Sequence, residues 1–113
     1  MAETLLYHNP RCSKSRQALA LLQEKGVEPA IVEYLKTPPS AAALKSLLDR
    51  LGLKAADVLR RKEGAEAGLT PDMPEAALIA GIAAHPAALE RPILVHGGRA
   101  VIGRPPERVL DLL

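Results

Sequence analysis

The order of apolar and polar positions in the first third of the chain predicts a strand, a helix and a second strand. Residues 4–8 form a short apolar run that Asn9-Pro10 ends, as expected of a buried strand closed by a turn. From Ser13 to Lys25, apolar and long aliphatic side chains recur at helical spacing, and Gly26 supplies a left-handed exit. Residues 30–35 predict the second strand. A strand–helix–strand unit of this length makes its two strands parallel and packs the helix against one face of the sheet.

The middle of the chain carries three helical patterns, at residues 40–52, 54–62 and 72–85. In the first, Ser40 is placed to cap an amphipathic leucine repeat that Gly52 ends. The third begins near Asp72, has Glu75 three residues later as in a capping box, and stops before Pro86. We expect these patterns to form a helical block.

The last part of the chain predicts a hairpin and a final helix. Residues 92–96 and 99–103 are rich in β-forming side chains, and Gly97-Gly98 between them can take the positive φ angles of a tight turn. Pro105 opens a helical pattern that runs to Leu113. With 113 residues, the order βα, β, helical block, ββ, α predicts one α/β domain with a mixed four-stranded sheet and a helical insertion at about residues 40–90.

Composition and charge narrow both the core and the function. Apolar residues make up 48% of the chain but aromatic residues only 2%, so the core has to be built from aliphatic side chains. The net charge of +2 comes without a basic tract, and aromatic stacking platforms are nearly missing, so we expect no nucleic-acid partner. The apolar runs end well before the roughly 18 residues that a membrane helix needs, so we expect no membrane partner.

The single cysteine and the three histidines bear on compartment and metal binding. One cysteine forms no internal disulfide, and the N-terminus lacks the pattern of a secretory leader, which predicts a protein of the reducing cytoplasm. His85 and His96 are expected to be structural or exposed. Three scattered histidines and one cysteine lack the spacing of a metal site, so we predict no metal.

The position of Cys12 predicts a reactive thiol. It follows a strand and lies in the first turn of a helix, where unpaired backbone N–H groups and the helix dipole favour the thiolate. Arg11, Lys14 and Arg16 lie within four positions and would lower the pKa of the thiol further. The same N–H groups can hold a tetrahedral anion. The alternative, that Cys12 is a small buried apolar residue, fits less well with its polar, turn-forming neighbours.

The residue three positions after Cys12 decides what kind of redox chemistry is available. A cysteine there would make an internal dithiol, but the position is Ser15. Redox chemistry at Cys12 therefore needs an external thiol. The candidates are glutathione and a dithiol protein that resolves the mixed disulfide.

Four sequence segments together resemble the ArsC family, the glutaredoxin-linked arsenate reductases. The first, from Tyr7 to Arg16, resembles the active-site signature of that family. Three more match family motifs in the same order along the chain, and the resemblance covers nearly all of it. They are Leu59-Arg60-Arg61-Lys62, Glu90-Arg91-Pro92-Ile93 and Ile102-Gly103-Arg104-Pro105.

The resemblance implies a thioredoxin-like fold with an inserted helical block, and a role for each matching residue. Cys12 would attack arsenate, and His8 would help to lower the pKa of its thiol. Arginines from three distant segments would bind the anion, since guanidinium groups offset the repulsion between a thiolate and an oxyanion. The expected substrate-binding set is Arg60 (or its neighbour Arg61), Arg91, Arg104, Ser15 and Arg16. The resemblance further implies a cis peptide bond between Arg91 and Pro92.

The implied function is arsenate reduction, with glutathione as co-substrate, glutaredoxin as partner and no tightly bound cofactor. Between Lys62 and Leu78 the chain is a few residues shorter than the family pattern and lacks its aromatic residue, which bears on the geometry around Arg60. The sequence ends at Leu113, without the C-terminal extension of the longer, plasmid-type reductases, so we expect it to belong to a compact subgroup. One alternative is a regulator resembling the Spx proteins, which bind RNA polymerase, although most of those have two cysteines where this chain has Cys12 and Ser15. Another is a monothiol, glutathione-linked thiol transferase, whose chemistry needs no set of arginines.

Overall fold

The computed structural model describes residues 4–113, in which helices and strands follow one another in the predicted order. The strands are β1 (Thr4–Tyr7), β2 (Ala30–Val32), β3 (Ile93–His96) and β4 (Arg99–Ile102). The α-helices are α1 (Ser13–Glu24), α2 (Ala41–Leu51), α3 (Arg61–Glu66) and α4 (Glu75–Ala84). Short 3-10 helices cover Ala55–Val58, Pro86–Ala88 and Pro106–Leu112.

The four strands form one mixed sheet in the order β2-β1-β3-β4. β1 pairs in parallel with β2 and antiparallel with β3, and β3 pairs antiparallel with β4. Leu6, at the centre of β1, lies opposite Ile31 of β2 on one side and Leu94 of β3 on the other. The predicted α/β fold with a mixed four-stranded sheet is confirmed.

Helix α1 and the C-terminal 3-10 helix share an aliphatic core with the sheet. Ala18 and Leu22 of α1 are fully buried, and Gly26 has the left-handed φ of 75° after the helix ends. Burying a leucine side chain of this kind stabilises a fold by about 1.5–3 kcal/mol. The cluster contains only aliphatic side chains, as the composition predicts: Leu6, Ala18, Leu22, Leu94, Val101, Val109 and Leu112.

Contacts divide the chain into two compact units, one of which is Pro38–Glu90 and the other the segments on either side of it. The predicted single domain with an insertion at about residues 40–90 stays a prediction. In Pro38–Glu90, Ser40 accepts a hydrogen bond from the backbone N–H of Ala43 at 3.1 Å, and Gly52 ends α2 with a φ of 69°. The predicted cap and exit of this helix are confirmed.

The third helical pattern begins later than predicted. Helix α4 starts at Glu75 after Pro74, so the capping box with Asp72 is wrong. The Glu75 carboxylate instead accepts the backbone N–H of Ala55, with Oε2 at 2.9 Å. A glutamate that reaches a distant backbone is invisible to a local capping pattern.

Two further predicted elements end earlier than expected, one at a turn and the other at a β-bridge. β2 ends at Val32 and not at Leu35, since Lys36 N donates to Glu33 O at 2.9 Å and closes a turn. The helical pattern at 54–62 is interrupted where Leu59 is extended and bridges to Leu89. Both interruptions come from backbone hydrogen bonds that side-chain periodicity does not reveal.

The hairpin that joins β3 and β4 has a left-handed residue at Gly97, with a φ of 64°, whereas Gly98 does not take a positive φ. The peptide bond between Arg91 and Pro92 is cis, as the resemblance implies, and the bond between Arg104 and Pro105 is cis as well. Within the described residues, no helix has the length and hydropathy to cross a membrane.

Gly103 is packed too tightly for a side chain. A Cβ built there would lie 2.9 Å from both Pro92 Cγ and Val109 Cγ1, whereas one at Gly98 meets nothing within 4 Å. We expect Gly103→Ala to lower the free energy of unfolding by about 1–3 kcal/mol, because the rigid proline ring cannot move aside. Gly98→Ala should change it by less than about 0.5 kcal/mol. Urea unfolding midpoints of the two variants measure this, and equal midpoints would contradict the packing described.

Candidate active site

A tight turn carries the chain from the end of β1 into α1. The carboxamide Oδ1 of Asn9 accepts the backbone N–H of Arg11 at 3.0 Å, and the backbone O of Asn9 accepts the N–H of Cys12 at 2.9 Å. Asn9 is buried, and its bond to Arg11 is partly shielded from water. An asparagine that bonds to the backbone two residues later is typical of an Asx turn. This turn fixes the position of Cys12 at the start of the helix.

Cys12 is the N-cap residue of α1, with extended backbone angles and a partly exposed side chain. Its backbone O accepts the N–H of Arg16 at 3.0 Å, the first bond of the helix. The backbone N–H groups of Ser15 and Lys14 act on its sulfur and lower the pKa of the thiol, although the side chain forms no N-cap hydrogen bond. A thiolate is an acceptor for both groups, which the helix itself leaves unpaired.

The pKa of Cys12 is lowered from 9.0 to about 7. Burial has the largest single influence and by itself would raise the pKa. The Ser15 N–H, the Arg91 side chain and the Lys14 N–H together outweigh it, because each stabilises the negative sulfur. The lowered pKa lies in the range of reactive cysteines.

Two arginines meet at the sulfur from segments on either side of the β3–β4 hairpin. The Arg91 side chain donates a hydrogen bond to the sulfur, and Arg104 Nη2 lies 3.7 Å from Sγ, a longer and weaker contact. Arg104 Nε also donates to the backbone O of Arg91 at 2.8 Å. Gly103 N donates to Pro92 O at 2.8 Å, so the two segments are tied together directly beside Cys12.

Ser15 and Arg16 make contacts within the turn. Ser15 is fully buried, and its hydroxyl lies 3.4 Å from the backbone N of Asn9, which donates to it. Arg16 is exposed and donates through Nη1 to Pro10 O at 3.0 Å. Both side chains brace the turn. Their predicted contacts with a substrate anion stay a prediction.

His8 lies at the end of β1, where its backbone N–H donates to Val32 O at 2.9 Å. Burial lowers the pKa of the imidazole below 6.5, the charge of Glu33 opposes this, and Arg16 adds to it. The ring is therefore neutral near pH 7. A neutral ring carries no positive charge that would stabilise a thiolate, and the predicted role of His8 in activating Cys12 stays a prediction.

Arg60 belongs to the unit Pro38–Glu90, where two carboxylates hold its guanidinium. Nη1 lies 2.7 Å from Glu90 Oε1, and Nε lies 3.2 Å from Glu63 Oε1. Burial would lower the pKa of Arg60, but these two carboxylates raise it. Arg61 begins α3 and is exposed. Anion binding by either arginine stays a prediction.

Asn9 is the site residue that sequence reasoning missed. The Asn-Pro pair after β1 indicates a turn, but not that the carboxamide holds the backbone on which Cys12 depends. The available signal was the preference of asparagine for bonding to its own backbone two residues on.

Among residues 4–113, no three His, Cys, Asp or Glu side chains come together as a metal site would require.

The hydrogen bond from Arg91 lowers the pKa of Cys12, and this effect can be measured. We expect Arg91→Ala to raise the pKa of Cys12 above about 7, because a donor and a positive charge are removed together. Thiolate absorbance at 240 nm, followed against pH, reports this residue because the chain has one cysteine. Arg108→Ala, which removes an exposed arginine of the C-terminal 3-10 helix, is the matched control and should titrate like the unmodified protein. Identical curves for both variants would refute the role of Arg91.

Comparison with known proteins finds the ArsC family along nearly the whole chain. The profile of the ArsC family matches residues 7–112. The protein named arsenate reductase from Neisseria meningitidis serogroup A is 47% identical over 117 residues, which cover all of both chains. The uncharacterized protein YfgD of Escherichia coli is 49% identical over 112 residues, or 96% of this chain and 94% of that protein.

A solved structure described as arsenate reductase from Vibrio cholerae agrees with the fold. It superposes with a TM-score of 0.91 at 44% identity, covering 98% of each chain. Match, coverage and fold together establish that this chain belongs to the ArsC family.

Proposed function

We propose that the protein is an arsenate reductase in which Cys12 is the nucleophile. The observation that carries the proposal is that the same sulfur meets backbone N–H groups of α1 and two guanidinium groups. A thiol transferase needs an ionised sulfur but no such surplus of donors for a second negative group. The name that curated relatives carry, arsenate reductase, supports the same assignment.

In the first step the thiolate of Cys12 attacks arsenic. The sulfur and the oxyanion are both negative, and two unit charges about 4 Å apart repel by about 1 kcal/mol in water and several-fold more in a partly buried site. Arg91 and Arg104 offset this repulsion with hydrogen bonds from guanidinium groups. An S–As bond forms and an oxygen leaves as water after protonation, so arsenic remains As(V).

The second stage reduces arsenic with external thiols. The thiol of glutathione displaces another oxygen as water and forms a second S–As bond. The thiolate of glutaredoxin then attacks the glutathione sulfur, and the electron pair of the broken S–As bond stays on arsenic, which becomes As(III). Glutathione and glutaredoxin leave joined by a disulfide, and water releases arsenite and the Cys12 thiol.

External thiols are required because Cys12 is the chain's one cysteine. Ser15 stands three positions later with its hydroxyl hydrogen-bonded to the turn, so no second sulfur is available there. This also argues against an Spx-like disulfide switch. A glutathione-linked reductase belongs in the reducing cytoplasm, where we place this protein.

Arsenate reduction in the presence of glutathione and glutaredoxin tests the proposal. We expect Cys12→Ser to abolish turnover, since its hydroxyl is not ionised near neutral pH. Arg104→Ala should lower kcat/KM for arsenate by about 10- to 1,000-fold, because it removes a charged donor from the reacting group. NADPH consumption coupled through glutathione reductase measures the rates, and Arg108→Ala is the matched control.

The other functions are distinct outcomes of the same experiment. Equal arsenate turnover by the unmodified protein and Cys12→Ser would end the proposal. Efficient reduction of a glutathione mixed disulfide that is unaffected by Arg104→Ala would identify a thiol transferase instead. Retention of RNA polymerase subunits by the immobilised protein, without arsenate turnover, would identify a regulator.

A further inference from the structure

A pocket of about 250 Å³ lies where β1 and β2 end. Residues 8–11 form one wall, and Glu33, Leu35 and Lys36 form the other. Neighbouring parallel strands end at the same edge of a sheet, so the segments that follow them meet there. Cys12 comes directly after the first wall, which places the pocket and the reactive sulfur on the same loop.

Both walls are held by backbone hydrogen bonds. His8 N donates to Val32 O at 2.9 Å and continues the pairing of β1 with β2. Glu33 O accepts the backbone N–H of Lys36 at 2.9 Å and that of Thr37 at 3.0 Å. The pocket is therefore formed before a ligand arrives, as is usual for small-molecule sites.

The pocket presents two positive groups and one negative group around an apolar floor. Arg11 and Lys36 are exposed cations, and Glu33 is a partly exposed carboxylate 3.6 Å from the Lys36 ammonium. Leu35 is 45% exposed, so an apolar side chain is open to a ligand between the charges. A ligand that matches the charges carries two carboxylates and one ammonium.

We propose that this pocket binds glutathione, the co-substrate that reduces the Cys12 adduct. The inference rests on the proposed function, because it assigns a place to the thiol which that function requires. Glutathione has two carboxylates, for Arg11 and Lys36, and one ammonium, for Glu33. Its backbone lies against Leu35, and its thiol points along the turn towards Cys12.

The carboxylate of Glu33 makes the pocket favour glutathione over the oxyanion. A tetrahedral anion in the pocket would lie close to the Glu33 carboxylate, which repels it and offsets the charge of Lys36 at 3.6 Å. The sulfur site, in contrast, combines Arg91 and Arg104 with backbone N–H groups. The two substrates of one reaction thus have separate sites on either side of the Cys12 turn.

Binding of S-methylglutathione, which cannot react, tests the site without any turnover. Titration of the ¹⁵N-labelled protein should shift the backbone amide signals of Leu35 and Lys36 in a saturable way. Lys36→Glu should weaken binding by about fivefold or more, because an ion pair is replaced by a repulsion. Lys25→Glu makes the same charge change at an exposed site beyond the end of α1 and should leave affinity unchanged.

The proposal is overturned if Lys36→Glu and Lys25→Glu bind S-methylglutathione equally well, or if inorganic phosphate shifts the same amides and competes with it. Shifts confined to residues other than those lining the pocket also overturn it. Steady-state kinetics then add a second readout. Lys36→Glu should raise the KM for glutathione and leave the KM for arsenate unchanged. Absence of arsenate turnover would refute the proposed function alone, since the binding result does not depend on it.

Discussion

The ionised sulfur of Cys12 is the feature on which the rest of the site depends. Burial disfavours the negative charge on the sulfur. Two N–H groups of the first turn of α1 and the side chain of Arg91 favour the charge and outweigh the effect of burial. A balance of this kind, with the pKa lowered to about 7, is typical of a reactive cysteine. The fold can be understood as the means of keeping these groups in place.

Each part of the sheet contributes one component. β1 ends in the Asn9 turn that delivers Cys12 to the helix, and the parallel strand β2 ends beside that turn and forms the second wall of the adjacent pocket. The β3–β4 hairpin carries an arginine just outside each end. Gly103 allows the chain to pass against Pro92, so that Arg104 can reach both the Arg91 carbonyl and the sulfur.

Much of this was predictable from local patterns. Hydrophobic periodicity and the positions of glycine and proline predicted the order of helices and strands, the N-cap at Ser40 and the end of α2 at Gly52. These features are predictable because they are short-range effects of side chains on the backbone. The start of α4 was not predictable, since the Glu75 carboxylate bonds to the distant backbone N–H of Ala55. The end of β2 is set by a turn between the backbone groups of Glu33 and Lys36, which side-chain periodicity does not reveal. For the site, the sequence indicated Cys12 and the arginines. It did not reveal that Asn9 holds the turn or that Glu63 and Glu90 bind Arg60, because such contacts depend on the folded chain.

The central claim is that the thiolate and an oxyanion share one cluster of donors, so each must affect the other. The most direct measurement is the pKa of Cys12, from thiolate absorbance, with and without sulfate as an unreactive tetrahedral anion. A bound anion disfavours a second negative charge beside it, so saturating sulfate should raise the pKa above its value of about 7. An unchanged titration at saturating sulfate would contradict the account.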